Sequence, residues 1–310
     1  MIHRLLSLTG RLLSKGKLSI LHYHQVLRES DPLMRGLTTA EQFDWHMRLI
    51  SQYFTPLSLS TALNLLQKNK LPRNAVCITF DDGYENNLSV AQPILEKYGI
   101  PATVYVATGY SNGDNMWNDK VYHLFRDASR TQLILNGNTV ELGDYDRRRS
   151  LLRKLIDELK YLSLEERSQA LDEIYRINQV PPLPRLMLTP EKIAELAEKG
   201  IEIGAHTVNH PILAVLNEEQ QRHEIATSKL QLEQWTGKPV DHFAYPNGIP
   251  SQDFTEQTVK IVQDLGFKSA VATNKGVCTK DSCLYTLRRF TPWDKTPLRF
   301  HMRLVQNQAG

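Results

Sequence analysis

Short apolar runs alternate along this chain with segments of helical periodicity. Runs of this length, bounded by polar or turn-forming residues, are typical of buried β-strands. Eight such runs are LSILHYH (18–24), FTPLSL (54–59), AVCITF (75–80), ATVYVAT (102–108), IEIGAH (201–206), HFAYP (242–246), KSAVAT (268–273) and LYTLRRF (284–290). Because strands alternate with helices, the pattern predicts a parallel sheet.

Three of the intervening helices have readable N-termini. Thr38 or Thr39 precedes AEQFDWHMRLISQYF, Thr189 and Pro190 precede EKIAELAEKG, and Asn217 precedes EEQQRHEIATSKLQLEQWTG. Threonine and asparagine cap helices, and proline suits the first helical position. A parallel sheet of about eight strands predicts a closed or nearly closed barrel, with chemistry on the loops that leave the C-terminal strand ends. A doubly wound open sheet is the alternative.

The stretch from about residue 110 to 188 interrupts the alternation of strands and helices. It contains the charged helical run RRRSLLRKLIDELKYLSLEERSQALDEIYRI, preceded by TQLILNGNTVEL. In the latter, the pair Asn136-Gly137 lies between apolar residues and predicts a β-hairpin. We interpret 110–188 as a helical insertion within a single domain spanning 1–310, rather than as an independent domain.

Composition and charge exclude several classes of protein. With 41% hydrophobic residues in 310, the chain is of ordinary globular composition. Its formal charge of +3, from 37 basic and 34 acidic residues, is too small and dispersed to indicate nucleic-acid binding. The cysteines Cys77, Cys278 and Cys283 have no CxxC spacing, so we expect reduced thiols rather than disulfides or a thiolate zinc site.

The first segment, MIHRLLSLTGRLLSKGKLS, is interrupted by basic residues and is not a secretory signal, so we expect a cytoplasmic protein. No acidic residue precedes Glu29. Two interpretations of this segment stay open: a helix packed on the body of the protein, and contact of residues 1–17 with a membrane surface. The apolar residues that could share one helical face are Ile2, Leu5, Leu6, Leu12 and Leu13.

Acidic and histidine side chains follow two of the predicted strands. Asp81 and Asp82 follow AVCITF and precede Gly83, and HTVNH (206–210) follows IEIGA. Adjacent residues of a regular strand point to opposite faces, so the two aspartates would not share a site there. Gly83 has access to unusual backbone conformations, and we expect a turn that brings both carboxylates to one pocket. A plain Asp-Gly turn, with Asp81 capping the next helix, is the alternative.

The two histidines of HTVNH have a spacing found in helical zinc motifs, but Pro211 disfavours a helical conformation at His210. We therefore expect a turn that brings His210 back toward His206. Two imidazoles and the carboxylate of Asp82 form a three-ligand set with open positions, which suits zinc or another divalent metal holding a water. The other aspartate could take a proton from that water as a general base.

Together these motifs resemble those of the polysaccharide deacetylase family of carbohydrate esterases. TFDDG (79–83) and HTVNH (206–210) match its first two motifs in full, and YPNG (245–248) matches the third in part. The resemblance covers roughly residues 18–290. It implies a distorted (β/α) barrel, with 7–8 parallel strands by the count above. It also implies metal-dependent hydrolysis of N-acetyl groups on an amino-sugar polysaccharide or oligosaccharide.

The resemblance implies roles for individual residues as well. Asp81 is the implied general base. The implied ligands of one divalent metal, expected to be zinc with cobalt, nickel or iron as alternatives, are Asp82, His206 and His210. A backbone N–H of the PNG turn, that of Asn247, would polarise the acetyl carbonyl. The expected substrate-binding residues are Tyr245, Pro246, Asn247, Gly248 and Trp117.

The chain departs from the family pattern in two places. Ala244 stands where the family has an arginine that orients the catalytic aspartate. Arg288 and Arg289 end the last predicted strand, and alternation directs one of them into the barrel mouth; we assign the role to Arg289, with two solvated surface charges as the alternative. The family's late histidine motif is also missing. We assign the acid or substrate-site role to His24, and interpret His22 as a packed, hydrogen-bonded histidine.

Two further alternatives stay open at this point. Trp117, in NMWND, would either form an apolar wall against a sugar ring or anchor the insertion. The function could instead be hydrolysis of small cyclic amides on the same barrel, suggested by the His22-x-His24 pair. A catalytically impaired carbohydrate-binding protein is suggested by the missing arginine, but retention of both aspartates with the two histidines favours an enzyme.

Overall fold

A sheet of parallel strands forms the centre of the computed structural model, which describes residues 2–309. The β-strands of the described residues, in this sheet and outside it, are β1 (Ser19–Tyr23), β2 (Val26–Leu27), β3 (Thr38–Thr39), β4 (Thr55–Pro56), β5 (Ala75–Phe80), β6 (Ala102–Val106), β7 (Gln132–Leu135), β8 (Asn138–Glu141), β9 (Glu202–Ala205), β10 (His242–Ala244), β11 (Ser269–Lys275) and β12 (Leu287–Arg289). The strands β2 and β3 pair with each other, as do β7 and β8, outside the central sheet. The α-helices are α1 (Ile2–Leu13), α2 (Ala40–Tyr53), α3 (Leu59–Gln67), α4 (Gln92–Tyr98), α5 (Trp117–Arg126), α6 (Tyr145–Leu159), α7 (Leu164–Ile177), α8 (Pro190–Glu198), α9 (Glu218–Thr236), α10 (Glu256–Asp264) and α11 (Pro297–Ala309).

Seven strands form a nearly closed barrel in the order β1-β5-β6-β9-β10-β11-β12, and all their pairings are parallel. Phe290 links the two ends of this path. Its N–H donates to the carbonyl of Ile20 at 2.8 Å, and its own carbonyl accepts from the N–H of His22 at 3.0 Å. The predicted distorted (β/α) barrel of 7–8 parallel strands is therefore confirmed. The run FTPLSL contributes only the short strand β4, which pairs with β5 outside this path.

The helices begin where the sequence predicted. The side chains of Thr39, Thr189 and Asn217 each accept a hydrogen bond from the backbone N–H three residues later. At α2 and α9 the third helical residue also returns a side-chain bond to the backbone of the cap, which completes a capping box. Each cap contributes about 1 kcal/mol. These local signals fix where the helices start, whatever packs against them.

The alternation of side chains along β5 explains why the carboxylate of Asp81 lies inside the barrel. All six of its residues are buried. Val76, Ile78 and Phe80 pack in the apolar cluster shared with helices outside the sheet, whereas Cys77 packs with residues such as Ile20 and Tyr105 in a second cluster. Because strand side chains alternate, the next positions in the direction of Cys77 are those of residues 79 and 81.

The described residues fall into two compact units. The first comprises residues up to 29, 36–112 and from 188 onward, and contains the barrel. The second comprises 30–35 and 113–187, with the β7–β8 hairpin, the helices α5, α6 and α7, and an apolar core of its own. The predicted turn lies at Asn136 and Gly137, whose φ angles are 50° and 75°. The assignment of this segment as an insertion within one domain stays a prediction.

Trp117 belongs to the second unit, where it packs against that unit's apolar core. The guanidinium of Arg167 lies 4.6 Å from the centre of its ring. These contacts fit the interpretation that Trp117 anchors the insertion, and its contact with a substrate stays a prediction.

The thiols are unpaired, as the sequence predicted: Cys77 and Cys278 are buried and Cys283 is exposed. None of the helices within residues 2–309 is long and apolar enough to cross a membrane.

Candidate catalytic and metal site

A left-handed turn at the end of β5 brings the two aspartates together. Asp82 and Gly83 have φ angles of 76° and 83°. A Cβ on Gly83 would lie 2.9 Å from Cγ1 of Val106, so only glycine fits there. The sequence pattern assigned the turn to Gly83 alone, but Asp82 is itself in a conformation that costs a non-glycine residue about 1–3 kcal/mol. Strained backbone of this kind is found at functional sites.

Arg289 holds the carboxylate of Asp81 in a bidentate ion pair. Its Nη1 and Nη2 donate to Oδ1 and Oδ2 of Asp81, each at 2.7 Å, and its Nε donates to the carbonyl of Ala272 at 2.8 Å. Arg289 is fully buried and Arg288 is exposed, as strand alternation predicted. Arg289 thus contacts the aspartate that the family's arginine would orient. At the position of that arginine, the small buried side chain of Ala244 makes no polar contact.

His22 also contacts Asp81, which the sequence did not predict. Its Nε2 lies 2.9 Å from Oδ2 of Asp81. Burial, reinforced by the charge of Arg289, lowers the pKa of His22 to about 3, so the ring is neutral at pH 7. Burial alone would raise the pKa of Asp81, but the charge of Arg289, bonded to both carboxylate oxygens, holds that pKa well below its usual value. Asp81 is therefore ionised at neutral pH.

Asp82, His206 and His210 form a compact group whose ligand atoms all lie within 4.8 Å of one another. Nε2 of His206 and Nε2 of His210 are each 3.5 Å from Oδ1 of Asp82. Two atoms bound tetrahedrally to one zinc ion, at about 2.1 Å, lie about 3.4 Å apart. The spacing of this group therefore fits a divalent metal.

The protonation of Asp82 and His210 fits a metal as well, whereas His206 would give up a proton to one. Nδ1 of His206 lies 2.7 Å from the carbonyl of Ala244, an arrangement in which the ring donates to that carbonyl and directs Nε2 toward Asp82. Burial and the neighbouring His206 lower the pKa of His210 to about 4, which keeps this ring neutral. Burial raises the pKa of Asp82, but its bond to His206 and the nearby His24 bring it to about 2. Burial lowers the pKa of His206, but its hydrogen bond to Asp82 and the charges of the two aspartates raise that pKa overall, so a metal would displace a proton from this ring. Zinc binds carboxylates and neutral imidazoles.

Glu224 of α9 fixes the turn that carries the histidines, and sequence reasoning missed it. Its Oε2 accepts from the backbone N–H groups of Val208 and Asn209 at 2.9 and 2.8 Å, and its Oε1 accepts from the side chain of Asn209 at 2.7 Å. The turn has left-handed residues at Thr207 and His210, with φ of 65° and 52°. A signal was present in the sequence, because Glu224 is a charged residue on the buried face of α9. That face carries Gln221, Glu224, Ile225, Ser228 and Leu232.

We expect Glu224→Ala to weaken zinc binding by about 10- to 100-fold, the usual effect of losing a group that orients metal ligands. The loss frees the N–H groups of Val208 and Asn209, so the turn no longer holds His210 in place. Competition with a coloured zinc chelator measures the affinity. Glu219→Ala, an exposed position on the same helix, is the control and should bind zinc as the parent does. Equal affinities for both variants would show that Glu224 does not position the ligands.

The third motif forms a turn at the same end of the barrel, after β10. Asn247 is exposed and left-handed, with φ of 58°, and its N–H donates no hydrogen bond within residues 2–309. A Cβ on Gly248 would lie 3.0 Å from Cγ2 of Thr273 and 3.1 Å from the carbonyl of Tyr245, and its φ of 77° also favours glycine. The turn thus presents one unused backbone donor.

The predicted role of Tyr245 in substrate binding needs correction. Its side chain is fully buried, stacks on Phe254 with ring centres 3.7 Å apart, and donates its hydroxyl to the carbonyl of Tyr285 at 2.9 Å. An aromatic ring with both its face and its hydroxyl occupied has no contact to offer a substrate. Pro246 is also buried, so of these residues Asn247 is the one that reaches the surface.

His24 lies beside both aspartates. It is half-buried, its ring centre is 4.4 Å from that of His22, and it groups with His22 and Asp81 within 4.8 Å. The two histidines differ because His22 is enclosed against Asp81 and Arg289, whereas His24 keeps exposed surface. The geometry therefore gives His22 the contact with Asp81 and leaves His24 accessible.

Comparisons with known proteins concern the family and the fold of the chain. A sequence model of the family described as polysaccharide deacetylase matches residues 68–270. The Bacillus subtilis protein YxkH, named as a polysaccharide deacetylase, is 26% identical over 275 residues, which cover 88% of this chain and 70% of YxkH. A poly-beta-1,6-N-acetyl-D-glucosamine N-deacetylase of Staphylococcus aureus is 42% identical over 62 residues, 20% of this chain and 21% of the relative. The Streptococcus pyogenes deacetylase PplD, solved with acetate, has the same fold, with a TM-score of 0.65, 22% identity, and coverage of 94% of this chain and 98% of PplD.

Proposed function

Because the chain belongs to the polysaccharide deacetylase family, we propose that it hydrolyses N-acetyl groups on an amino-sugar polysaccharide or oligosaccharide with the aid of one divalent metal. The observation that carries the proposal is the pocket itself. An ionised aspartate held by a buried arginine lies next to a carboxylate and two imidazoles with metal-ligand spacing. This arrangement suits hydrolysis of an amide by water.

Asp82, His206 and His210 would hold the metal, with zinc as our first choice because of the His, His, Asp donor set. When bound, the metal would polarise the acetyl carbonyl and lower the pKa of a water. Because the donors come from the ends of β5 and β9, the barrel fixes their spacing.

Asp81 would act as the general base. It accepts a proton from the water as the water oxygen adds to the acetyl carbon. The bidentate contact with Arg289 keeps Asp81 ionised and prevents rotation of its carboxylate. The N–H of Asn247 would donate to the carbonyl oxygen as negative charge develops there, a contact typically worth about 10²- to 10³-fold in rate.

His24 would protonate the leaving nitrogen as the C–N bond breaks, which yields acetate and the free amino sugar. His22 is less suited to this role. Its pKa of about 3 leaves it without a proton to give at pH 7, and it is enclosed against Asp81. His22 would instead help to orient the base.

The match to a deacetylase of poly-β-1,6-N-acetyl-D-glucosamine makes oligomers of β-1,6-linked N-acetylglucosamine the first substrate to test. The test measures acetate release from these oligomers by zinc- or cobalt-loaded protein, beside chitin oligomers and a panel of small cyclic amides. We expect acetate from an acetylated glycan and no turnover of the cyclic amides. Turnover of the cyclic amides alone would replace this proposal with the amide hydrolase. Binding of glycans without acetate release would identify an impaired carbohydrate-binding protein.

A further inference from the structure

Helix α1 contacts the body of the protein through its small and polar face. At Gly10 a Cβ would lie 3.1 Å from Oδ1 of Asn74 and 3.3 Å from Cγ2 of Val305, so the helix approaches closely there. Asn74 donates to the carbonyl of Ser7 at 3.3 Å, and the rings of His3 and His301 stack with centres 5.2 Å apart. The helix is therefore held firmly, and its contacts on this side involve few apolar side chains of its own.

The apolar side chains of α1 point to solvent instead. Leu5, Leu8 and Leu12 are 65%, 60% and 80% exposed. The sequence grouped Leu6 with this face, but Leu6 is half-buried and Leu8 takes its place. At about 100° per residue the exposed apolar side chains span an arc of about 140°. They are Ile2, Leu5, Leu8, Leu12 and Leu13, five of the fifteen exposed large apolar side chains described in residues 2–309.

Such an arrangement is the reverse of an ordinary surface helix, which turns its apolar stripe to the core. Packing against the chain itself therefore does not explain this sequence. A contiguous exposed apolar patch of this kind marks an interaction site. Some other apolar environment must therefore cover these side chains and remove them from water.

The charged residues of α1 itself are all positive. Arg4 and Arg11 are exposed on the helix, next to the apolar arc, and Lys15 follows the helix end. None of the three has an ion pair among the residues that the structure describes. Arg73 lies at the same place, where its Nη1 donates to the carbonyl of Arg11 at 3.1 Å. The adjacent helix α11 has no acidic residue either.

We propose that α1 lies in the headgroup region of an anionic lipid bilayer, with its leucines among the acyl chains and its arginines at the lipid phosphates. An apolar face flanked by cations is what binds such a surface. A second copy of the chain would cover this apolar face less well, for two reasons. A helix of 12 residues is only about 18 Å long, too short to supply the roughly 800 Å² per partner of a stable dimer. A symmetric contact would also bring the arginines of both copies together.

The test is co-sedimentation of the full chain with vesicles of phosphatidylcholine alone or with about a third phosphatidylglycerol. We expect binding to the anionic vesicles, weakened at about 1 M salt, where the Debye length falls to about 3 Å. The variant Leu5→Gln/Leu8→Gln/Leu12→Gln should bind at least about 10-fold more weakly, because it loses the apolar contact. The variant Arg4→Gln/Arg11→Gln should lose about 10-fold or more on anionic vesicles only.

Leu230→Gln is the matched control, since Leu230 is 65% exposed on α9, as Leu5 is on α1. It should bind as the parent does. The changed leucines are on the surface, so the urea midpoint of unfolding should match the parent's for each variant. Failure of the parent to sediment with anionic vesicles would overturn the proposal, as would equal binding by the triple leucine variant. A dimer in sedimentation velocity that the leucine changes abolish would assign the face to a second copy and overturn it too.

Discussion

Asp81→Asn is expected to lower the rate of acetate release by about 10²- to 10⁴-fold while zinc stays bound. The amide keeps the shape of the carboxylate but cannot accept the proton of the attacking water, and general-base catalysis is worth this factor. The three candidate metal ligands are unchanged, so zinc content measured on the dialysed protein should equal the parent's. A variant that lost its zinc, or that kept its rate, would contradict the assignment of Asp81 as the base.

The same change has a second expected effect, on stability. Arg289 and Asp81 are both buried and bonded to each other, so removal of one charge leaves the other uncompensated in the interior. Breaking a buried pair in this way typically costs about 3–5 kcal/mol of unfolding free energy. Both Asp81→Asn and Arg289→Met should therefore unfold at lower urea concentration than the parent.

The double variant Asp81→Asn/Arg289→Met separates the two effects. Replacing both partners removes the orphaned charge, so the double variant should be more stable than the sum of the single changes predicts. Its rate should stay as low as that of Asp81→Asn, because the base is still missing. Recovery of activity together with stability would mean that Asp81 serves the fold and not the reaction.

His210→Ala is expected to lower zinc affinity by at least about 100-fold and to remove activity at ordinary zinc concentrations. Loss of a ligand should exceed the 10- to 100-fold effect of a group that only orients one. A ligand that binds the folded state alone stabilises it by about 4 kcal/mol at 1,000 times its dissociation constant. Zinc should therefore raise the unfolding midpoint of the parent much more than that of His210→Ala, because a site about 100-fold weaker gains only about 1.4 kcal/mol at the same zinc concentration.

Thermal unfolding in chelator and in excess zinc measures this difference without reference to activity. His223→Ala is the control, because His223 is an exposed histidine on α9. It should respond to zinc as the parent does. If zinc stabilised the His210→Ala variant as much as the control, the metal would bind elsewhere and the proposed ligand group would be wrong.

The strands and helix starts could be predicted because their signals are local. All eight apolar runs contain a strand. The cap residues Thr39, Thr189 and Asn217 each bind a backbone N–H only three positions later in the chain. Alternation along a strand also separated Arg289 from Arg288. Two strands are much shorter than their runs: β4 has two residues, since a run with a proline pairs poorly within a sheet, and β12 has three.

The details of the site could be predicted less well because they depend on neighbours. The sequence singled out both aspartates and both histidines of the pocket. It missed the contact of His22 with Asp81 and the bonds of Glu224 to the HTVNH turn, and it gave Tyr245 a place at the substrate. Each of these depends on which side chains face one another across the barrel, and no local pattern contains that information.

The sequence alone therefore determined the class of fold, the order of its elements and the residues with the right chemistry, because periodicity, caps and motifs act over a few positions. Only the tertiary structure decided how those residues work together. Closure of the barrel brings Arg289 to Asp81 across 208 positions of the chain, and the docking of Gly10 against Asn74 turns the leucines of α1 outward. The physical reason is the same in both cases: long-range packing, and not local preference, sets the environment in which a side chain acts.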